Sequence, residues 1–509
     1  MSSEDLYTRL NKQIAKGGGT AFIGQIFGKI AAFGLHILMG QVLGAGMYGL
    51  YSLGRSINGI AKPIASLGLK KGVVRYCSLY RGEEDLERVK GTLVSALGIS
   101  AVSSTAIAGI LFLFAGTLAK NFFNNSDLVW VIRFFALALP FYVLMGISAS
   151  FAQSFRQIKY QQGILNFFLP VMNFTLVALS FLMGFKLEGA IFGFIVSGVL
   201  SAGLGFYFLK KIFPQFFSFS SKPVYQIKQL LRFSIPMFFI GMSLILLSYT
   251  DKIMLGFFKD AKQVGIYNAA AVISLQLTMS LGAFIIIFSP IVSDLFNRKK
   301  FHELKKLFKT VTRWGFSVSL PLFVILTVFS KEIVLVFGPE FRVGWNVLIV
   351  LALAQLVNVG TGPVGMILQM TGKQNVDFFN GIILLLINVG LNLWLIPQYG
   401  FLGAAVATAT SLILIHLLRL IEVIKIYRMA PYDKHHVKPV IAGLVMFFSG
   451  ILFKMLLRGP LNWILVAAGI LILTMVYLGM IIGLGFNHED KIIVEAVKSK
   501  ILKSRRAVS

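Results

Sequence analysis

LNWILVAAGILILTMVYLGMIIGLG, residues 461–485, runs for twenty-five residues without a charged side chain. A helix needs about 20 consecutive apolar residues to cross a bilayer, and a stretch this long and this uncharged reads as a membrane span. The rest of the chain repeats the pattern. Of 509 residues 57% are hydrophobic and only 13% charged, with 47 Phe and 49 Gly. Mean hydropathy is +0.81. A soluble core could not absorb that content. The apolar runs are continuous, whereas barrel strands alternate over about 10 residues, so a β-barrel is excluded. The single cysteine, Cys77, excludes an internal disulfide framework and any cysteine cluster.

Apolar runs between charged or Pro/Gly punctuation predict about fourteen spans, near 18–43, 47–69, 91–118, 128–152, 160–184, 187–209, 232–257, 264–290, 312–330, 344–370, 376–396, 400–424, 438–457 and 461–485. The hydropathy is most interrupted at 47–69 and 71–80, by Arg55, Lys62, Lys70 and Lys71. The net charge of +28 would suggest nucleic acid in a soluble protein, but here it falls by side. With the first residues cytoplasmic, about 35 of the Lys and Arg lie inside and about eight outside, the bias that orients membrane insertion. Both termini are therefore expected in the cytoplasm, with no removable leader and no nucleic-acid partner. Two basic segments, 298–313 and 490–506, carry apolar residues at helical spacing and read as amphipathic helices on the membrane surface or as solvated connectors.

A faint repeat runs through the chain at an offset of about 214 to 216 residues. Gly49-Leu-Tyr51 matches Gly265-Ile-Tyr267, Asn173 matches Asn388, and Gly189-Ala190 with Ser197 matches Gly403-Ala404 with Ser411. Each copy would hold six spans, an even number, so both share one orientation, with the substrate site expected between them. The expected fold is an all-α polytopic membrane protein of about 14 transmembrane helices: two six-helix lobes related by an internal repeat, plus two C-terminal helices. The expected parts are a cytoplasmic segment 1–17, lobes at 18–210 and 232–425 joined by a linker 211–231, helices 13 and 14 at 438–485, and a basic tail 486–509.

Ionisable groups at bilayer depth cost about 2.5–3.5 kcal/mol each and normally face protein or a watery cavity. Gln25, Lys29 and His36 share one face of span 1, and Arg55, Asn58 and Lys62 share one face of span 2. Two neighbouring helices thus each present a cationic stripe, and neither contains an acid to pair it. Arg133 and Lys252 lie near outer ends, where they can snorkel. Asp251 is the acid that falls within a span, followed at once by Lys252. Cationic walls favour an anionic substrate; Arg grips pyrophosphate through its planar fork and Lys acts as a point charge. Asn166, Asn173, Gln276, Ser280, Gln355, Asn358, Gln369, Asn388 and Asn392 could bond sugar hydroxyls or tie helices together. The sequence has no metal-ligand spacing and no Gly-rich phosphate loop ending in Lys-Ser/Thr. Its longest expected outer loop, about 331–343, is too short for a glycosyltransferase or ligase. No catalytic residue, metal or cofactor is assigned, and the chain is not read as an enzyme.

The stretches Leu43-Gly-Ala-Gly-Met-Tyr-Gly-Leu-Tyr51, Ile64-Ala-Ser-Leu-Gly-Leu69 and Val73-Val-Arg-Tyr76 resemble the opening of polysaccharide-biosynthesis flippases, the O-antigen and teichoic-acid exporter group. Thr250-Asp-Lys-Ile-Met-Leu-Gly256, Val264-Gly-Ile-Tyr267, Thr371-Gly-Lys-Gln374, Asn388 to Asn392, Ile396-Pro397, Tyr399-Gly400 and Gly403-Ala404-Ala405 resemble that group's second lobe. The likeness covers residues 15 to 425. It implies the multidrug/oligosaccharidyl-lipid/polysaccharide superfamily fold, with two extra helices as in the lipid II flippase branch. The implied substrate is a polyprenyl-(pyro)phosphate-linked oligosaccharide, moved from the inner to the outer leaflet of the plasma membrane. Membrane lipids and the polysaccharide assembly machinery are the implied partners. Arg55 matches the kind of second-helix arginine expected at the lipid phosphate, and Asp251 an aspartate typical of the seventh helix. The substrate-contacting set is then Arg55, Lys29, Lys62, Gln25, His36, Asn58, Asn173 and Asn388, with Asp251 and Lys252 for coupling or gating. The alternative on the same fold is a cation-coupled multidrug-type antiporter, which calls for a buried acid and has only Asp251 to supply it.

Overall fold

The computed structural model describes residues 3–218, 222–457 and 462–485, and every regular element among them is a helix. In chain order these are α1 (Ser3–Ser66), α2 (Leu69–Gly82), α3 (Leu86–Thr117), α4 (Leu128–Ser154), α5 (Ile158–Gln162), α6 (Leu169–Leu182), α7 (Leu187–Ile212), α8 (Ile227–Phe258) and α9 (Ala261–Ser274). They continue with α10 (Met279–Asn297), α11 (Phe301–Val328), α12 (Ser330–Val334), α13 (Trp345–Thr361), α14 (Val364–Met370), α15 (Gln374–Tyr399), α16 (Phe401–Tyr427), α17 (Val437–Leu456) and α18 (Trp463–Gly483). Leu182 is 85% exposed and Ile464 78%, as befits helices whose outer surface meets lipid. Among the described residues twelve segments are long and apolar enough to cross a membrane. One of them, Ile26–Gly82, is a 57-residue run that turns at Gly44 and again at Leu67–Gly68, and α8 stands outside the twelve. The expected number of fourteen is thus not fixed by this count.

The chain divides into two compact units. The first holds residues up to Ala269 with Val336–Phe341 and Asn392–Ala404. Within it α1 breaks at Gly44, whose φ of 67° and ψ of 178° suit a residue without a Cβ. The helix restarts at Ala45, whose N–H donates to Glu340 Oε2 at 3.0 Å, a carboxylate placed at the positive end of the new helix. Asn58 ties this second half of α1 to α4 by donating to the Phe135 carbonyl at 2.7 Å. Leu69, Val73 and Cys77 of α2 bury against Val89 and Leu93 of α3, Ile147 and Phe151 of α4, and Leu230 of α8.

Where α1 crosses α9, the two backbones touch through glycine. A Cβ on Gly49 would lie 1.6 Å from the Ala261 carbonyl oxygen, and one on Gly265 would lie 2.1 Å from the Ala45 carbonyl oxygen. The contact is reciprocal at the offset of the sequence repeat: Ala45 pairs with Ala261 and Gly49 with Gly265. A second crosswise pair has the same relation, since Gly40 lies against Phe337 and Gly256 against Phe123. Such reciprocity is the mark of a local two-fold relation.

The second unit holds Ala270–Leu335, Arg342–Leu391 and residues from Ala405 onward. Its core includes Leu304 and Phe308 of α11, Val364, Ile367 and Leu368 of α14, and Leu420 and Val423 of α16. This corrects the reading of 298–313 as a surface segment: from Phe301 it forms the first turns of α11, and Leu304, Phe308 and Val311 are buried in protein. The other such segment, 490–506, lies outside the described residues. Helices α17 and α18 join this unit through Met446, Val466, Leu473 and Tyr477 around Phe329 of α11's end, with Tyr477 donating to the Ser317 carbonyl at 2.8 Å. A buried ion pair, Arg419 to Asp377 at 2.7 Å, links α16 to α15.

Candidate functional site

The first unit gathers four cationic side chains that the sequence places on three helices: Arg55 and Lys62 on α1, Lys70 on α2 and Lys252 on α8. All four are half-buried. Arg55 donates to His36 Nε2 at 3.2 Å. A guanidinium can only donate, so Nε2 accepts and the imidazole carries its proton on Nδ1. That Nδ1–H faces the Tyr48 hydroxyl at 2.9 Å, which in turn accepts from Asn268 Nδ2 at 2.7 Å. The chain Arg55–His36–Tyr48–Asn268 thus fixes the guanidinium with neutral groups.

Four tyrosines, Tyr51, Tyr249, Tyr142 and Tyr48, lie within electrostatic reach of Arg55. Lys62 Nζ sits 4.9 Å from the centre of the Tyr142 ring, and Lys252 Nζ 5.7 Å from that of Tyr249. Both distances are in the range where an aromatic face attracts a cation, worth about 0.5–2 kcal/mol according to desolvation. Tyr249 approaches because Gly59 leaves the space: a Cβ there would fall 2.3 Å from its ring. Among the described residues none of these four cations forms an ion pair. The distinction matters chemically. An acid would neutralise the charge it holds in place, whereas rings and a neutral imidazole leave it available to a ligand.

The acid that adjoins Lys252 in sequence is engaged elsewhere. Asp251, 5% exposed, accepts from Tyr267 at 2.8 Å through Oδ2 and from Asn392 at 2.8 Å through Oδ1. It adjoins Lys252 in sequence and lies within electrostatic reach of it.

The structure brings together Arg55, His36, Lys62 and Lys252 of the expected set. Asn173, buried on α6, faces Tyr51. Asn58 is buried and bonded to the Phe135 carbonyl. Lys29 stands exposed on α1. Asn388 is fully buried in the second unit. The side chain of Gln25 lies outside the described residues. Arg133 is exposed above the Phe112 ring at 5.2 Å. Several of the amides and hydroxyls tie helices together: Ser280 meets Ser319 at 2.8 Å, Gln369 donates to Asp377 at 2.8 Å, and Asn392 holds Asp251. Sequence reasoning missed the tyrosines and Lys70. Tyr51 closes the repeated Gly49-Leu-Tyr51 motif and Tyr48 directly precedes it, and that was the signal available for them.

The family described as polysaccharide biosynthesis protein matches residues 14–296, and that described as MatE matches residues 236–394. A probable low-salt glycan biosynthesis flippase, Agl15 of Haloferax volcanii, is 25% identical over 403 residues, covering 78% of this chain and 81% of its own. A putative O-antigen transporter of Shigella flexneri is 22% identical over 384 residues, covering 73% of this chain and 88% of its own. Among solved structures, the lipid II flippase MurJ in an inward closed conformation superposes with a TM-score of 0.71 at 18% identity, covering 90% of this chain and 97% of that one.

Proposed function

This chain belongs to the polysaccharide biosynthesis protein family, and from that premise we propose that it moves a polyprenyl-(pyro)phosphate-linked oligosaccharide from the inner to the outer leaflet of the plasma membrane. Both termini then face the cytoplasm, following the distribution of Lys and Arg. The observation that carries the reading is the Arg55 guanidinium, half-buried, oriented by neutral His36 and ringed by tyrosines without an acid. In this reading Arg55 takes the lipid phosphate through its planar fork while Lys62 and Lys252 add point charges. His36 is a positioning residue, Asn173 offers an amide to the headgroup, and exposed Lys29 meets the substrate before it reaches Arg55. Gln25 and Asn388 stay in the proposed set as further polar contacts. The polyprenyl tail stays in lipid.

Alternating access requires that the phosphate be held more tightly in one state than in the other, since a ligand bound equally in both shifts nothing. An inside-negative potential favours outward movement of the negative headgroup by about 2.3 kcal/mol per charge per 100 mV. The competing reading, a cation-coupled antiporter, rests on buried Asp251. That carboxylate already has a donor on each oxygen and a lysine beside it, which supports a coupling or gating role better than capture of a cationic drug.

The test is a lipid-linked oligosaccharide carrying a labelled glycan, reconstituted in proteoliposomes and challenged from outside with an impermeant glycan-cleaving enzyme. Wild type is expected to expose the protected fraction rapidly, and Arg55→Ala slowly. Equal rates in the two would remove Arg55 from the mechanism. Wild type no faster than empty liposomes, under imposed proton, sodium and voltage gradients, would remove the substrate class.

A further inference from the structure

We propose that Lys70 is a second anion contact of this site, and that Gly146 is the residue that makes room for it. The inference rests on the flippase reading above. Lys70 opens α2, immediately after the turn at Leu67–Gly68 that ends α1. Its side chain does not leave toward solvent as that of its neighbour Lys71 does; it lies half-buried against α4. A Cβ on Gly146 would fall 2.5 Å from Lys70 Cε and 2.8 Å from Nζ, so the ammonium occupies the volume that any larger residue would fill.

Among the described residues Lys70 has no ion pair, and no hydrogen bond is formed by its ammonium. A half-buried ammonium without acceptors is unfavourable unless something else supplies them. Lys62 lies within electrostatic reach of both Lys70 and Arg55. Arg55, Lys62 and Lys70 therefore follow one another along the second half of α1 and into the start of α2. Like charges in electrostatic reach of one another, with no ion pair among the described residues, form a natural place for a multiply charged oxyanion, which relieves their repulsion and satisfies their N–H groups together. The ligand chemistry is a phosphoryl or pyrophosphoryl group on a membrane-embedded lipid.

The proteoliposome assay is run at several mole fractions of a diphosphate-linked oligosaccharide lipid, so that half-saturation and maximal rate separate. The variants are Lys70→Met, Lys70→Arg, Gly146→Ala and Arg55→Ala, each checked for a protected Cys77 thiol as the sign of a folded unit. Lys70→Met is expected to raise the half-saturating mole fraction about tenfold with little change in maximal rate, the loss typical of one charge-assisted contact. Lys70→Arg is expected to restore it. Gly146→Ala keeps the charge but displaces the flexible end of Lys70, and is expected to raise half-saturation, with no further loss when it is combined with Lys70→Met. Wild-type half-saturation in both Lys70→Met and Gly146→Ala, with Arg55→Ala defective, would overturn the role of Lys70 and leave the flippase reading standing. If Lys70→Arg were as impaired as Lys70→Met, charge would not be what matters and the inference would fail. Should folded wild type be inert on this lipid, both readings fall together.

Discussion

Gly49→Ala offers the sharpest test of how the first unit is held together. The added Cβ would lie 1.6 Å from the Ala261 carbonyl oxygen and 3.1 Å from the Gly265 nitrogen, both backbone atoms that no rotamer change can move. Non-bonded carbon and oxygen settle near 3.5 Å, so α1 and α9 must separate by roughly 2 Å. Overpacking of this kind costs about 1–3 kcal/mol. Gly265→Ala imposes the same separation from the other side, with its Cβ 2.1 Å from the Ala45 carbonyl oxygen. If the two contacts form one seam, the first substitution opens it and the second adds little. Independent sites would instead sum to about 2–6 kcal/mol. The chain provides its own readout, because Cys77 is its one cysteine and is fully buried, so thiol labelling during heating reports unfolding of this unit. The expected result is a lowered labelling midpoint in each single variant and nearly the same midpoint in the double. Additive losses, or a wild-type midpoint for Gly49→Ala, would refute the close crossing.

Tyr142→Phe keeps the ring under Lys62 and is expected to leave half-saturation by the lipid nearly unchanged, whereas Tyr142→Leu removes the cation–ring contact and should raise it severalfold, measured in the same proteoliposome assay. Arg419→Ala strands the Asp377 carboxylate, whose side chain is 9% exposed, and is expected to cost about 3–5 kcal/mol in thermal unfolding; replacing both partners by apolar residues should cost less. Burial works to raise the Asp433 carboxyl, but bonds from His436 and the His435 N–H, with the charges of His436 and Arg313, outweigh it and hold the group below its usual value. A depressed carboxyl adds stability that is present above the ordinary carboxylate range and lost as pH falls through its folded value. The unfolding midpoint should therefore fall on acidification in this window, and Asp433→Asn should flatten that fall.

What could be read from the sequence followed its physics. Spans were legible because a bilayer demands long uncharged runs. The repeat was legible at Gly49 and Gly265 because a backbone crossing so close accepts no other residue, and the two copies meet at that very point. Arg55 and His36 were each placed on a cationic face by helical register, and the structure joins them. The tyrosines were not legible, since a ring that serves a buried cation and a ring that faces lipid look alike in a chain with 47 Phe and 15 Tyr. Lys70 was read only as an interruption in hydropathy, because its position depends on a glycine 76 residues away. The 298–313 segment was misjudged for a related reason: periodicity shows that one face is apolar but not whether lipid or protein covers it.

The glycine seam and the cationic site share residues closely enough to move together. Gly265 and Asn268 stand one turn apart on α9, and Gly49 adjoins Tyr48 on α1, so the Asn268–Tyr48 bond spans the same crossing that the glycines permit. Through Tyr48 that bond sets His36, and through His36 it sets Arg55. A shift of α9 along or away from α1 would then reorient the guanidinium without touching it, which is the kind of state-dependent phosphate affinity that release requires. Asn268→Ala removes the amide at the end of the chain while leaving both glycines in place. Its expected effect is on the cycle, with a maximal rate reduced severalfold and half-saturation little changed, because the charges that meet the phosphate remain. Gly49→Ala should reduce both. If Asn268→Ala instead weakened half-saturation as much as His36→Ala, the amide would be holding Arg55 in the binding state itself, and the link between the seam and release would be lost.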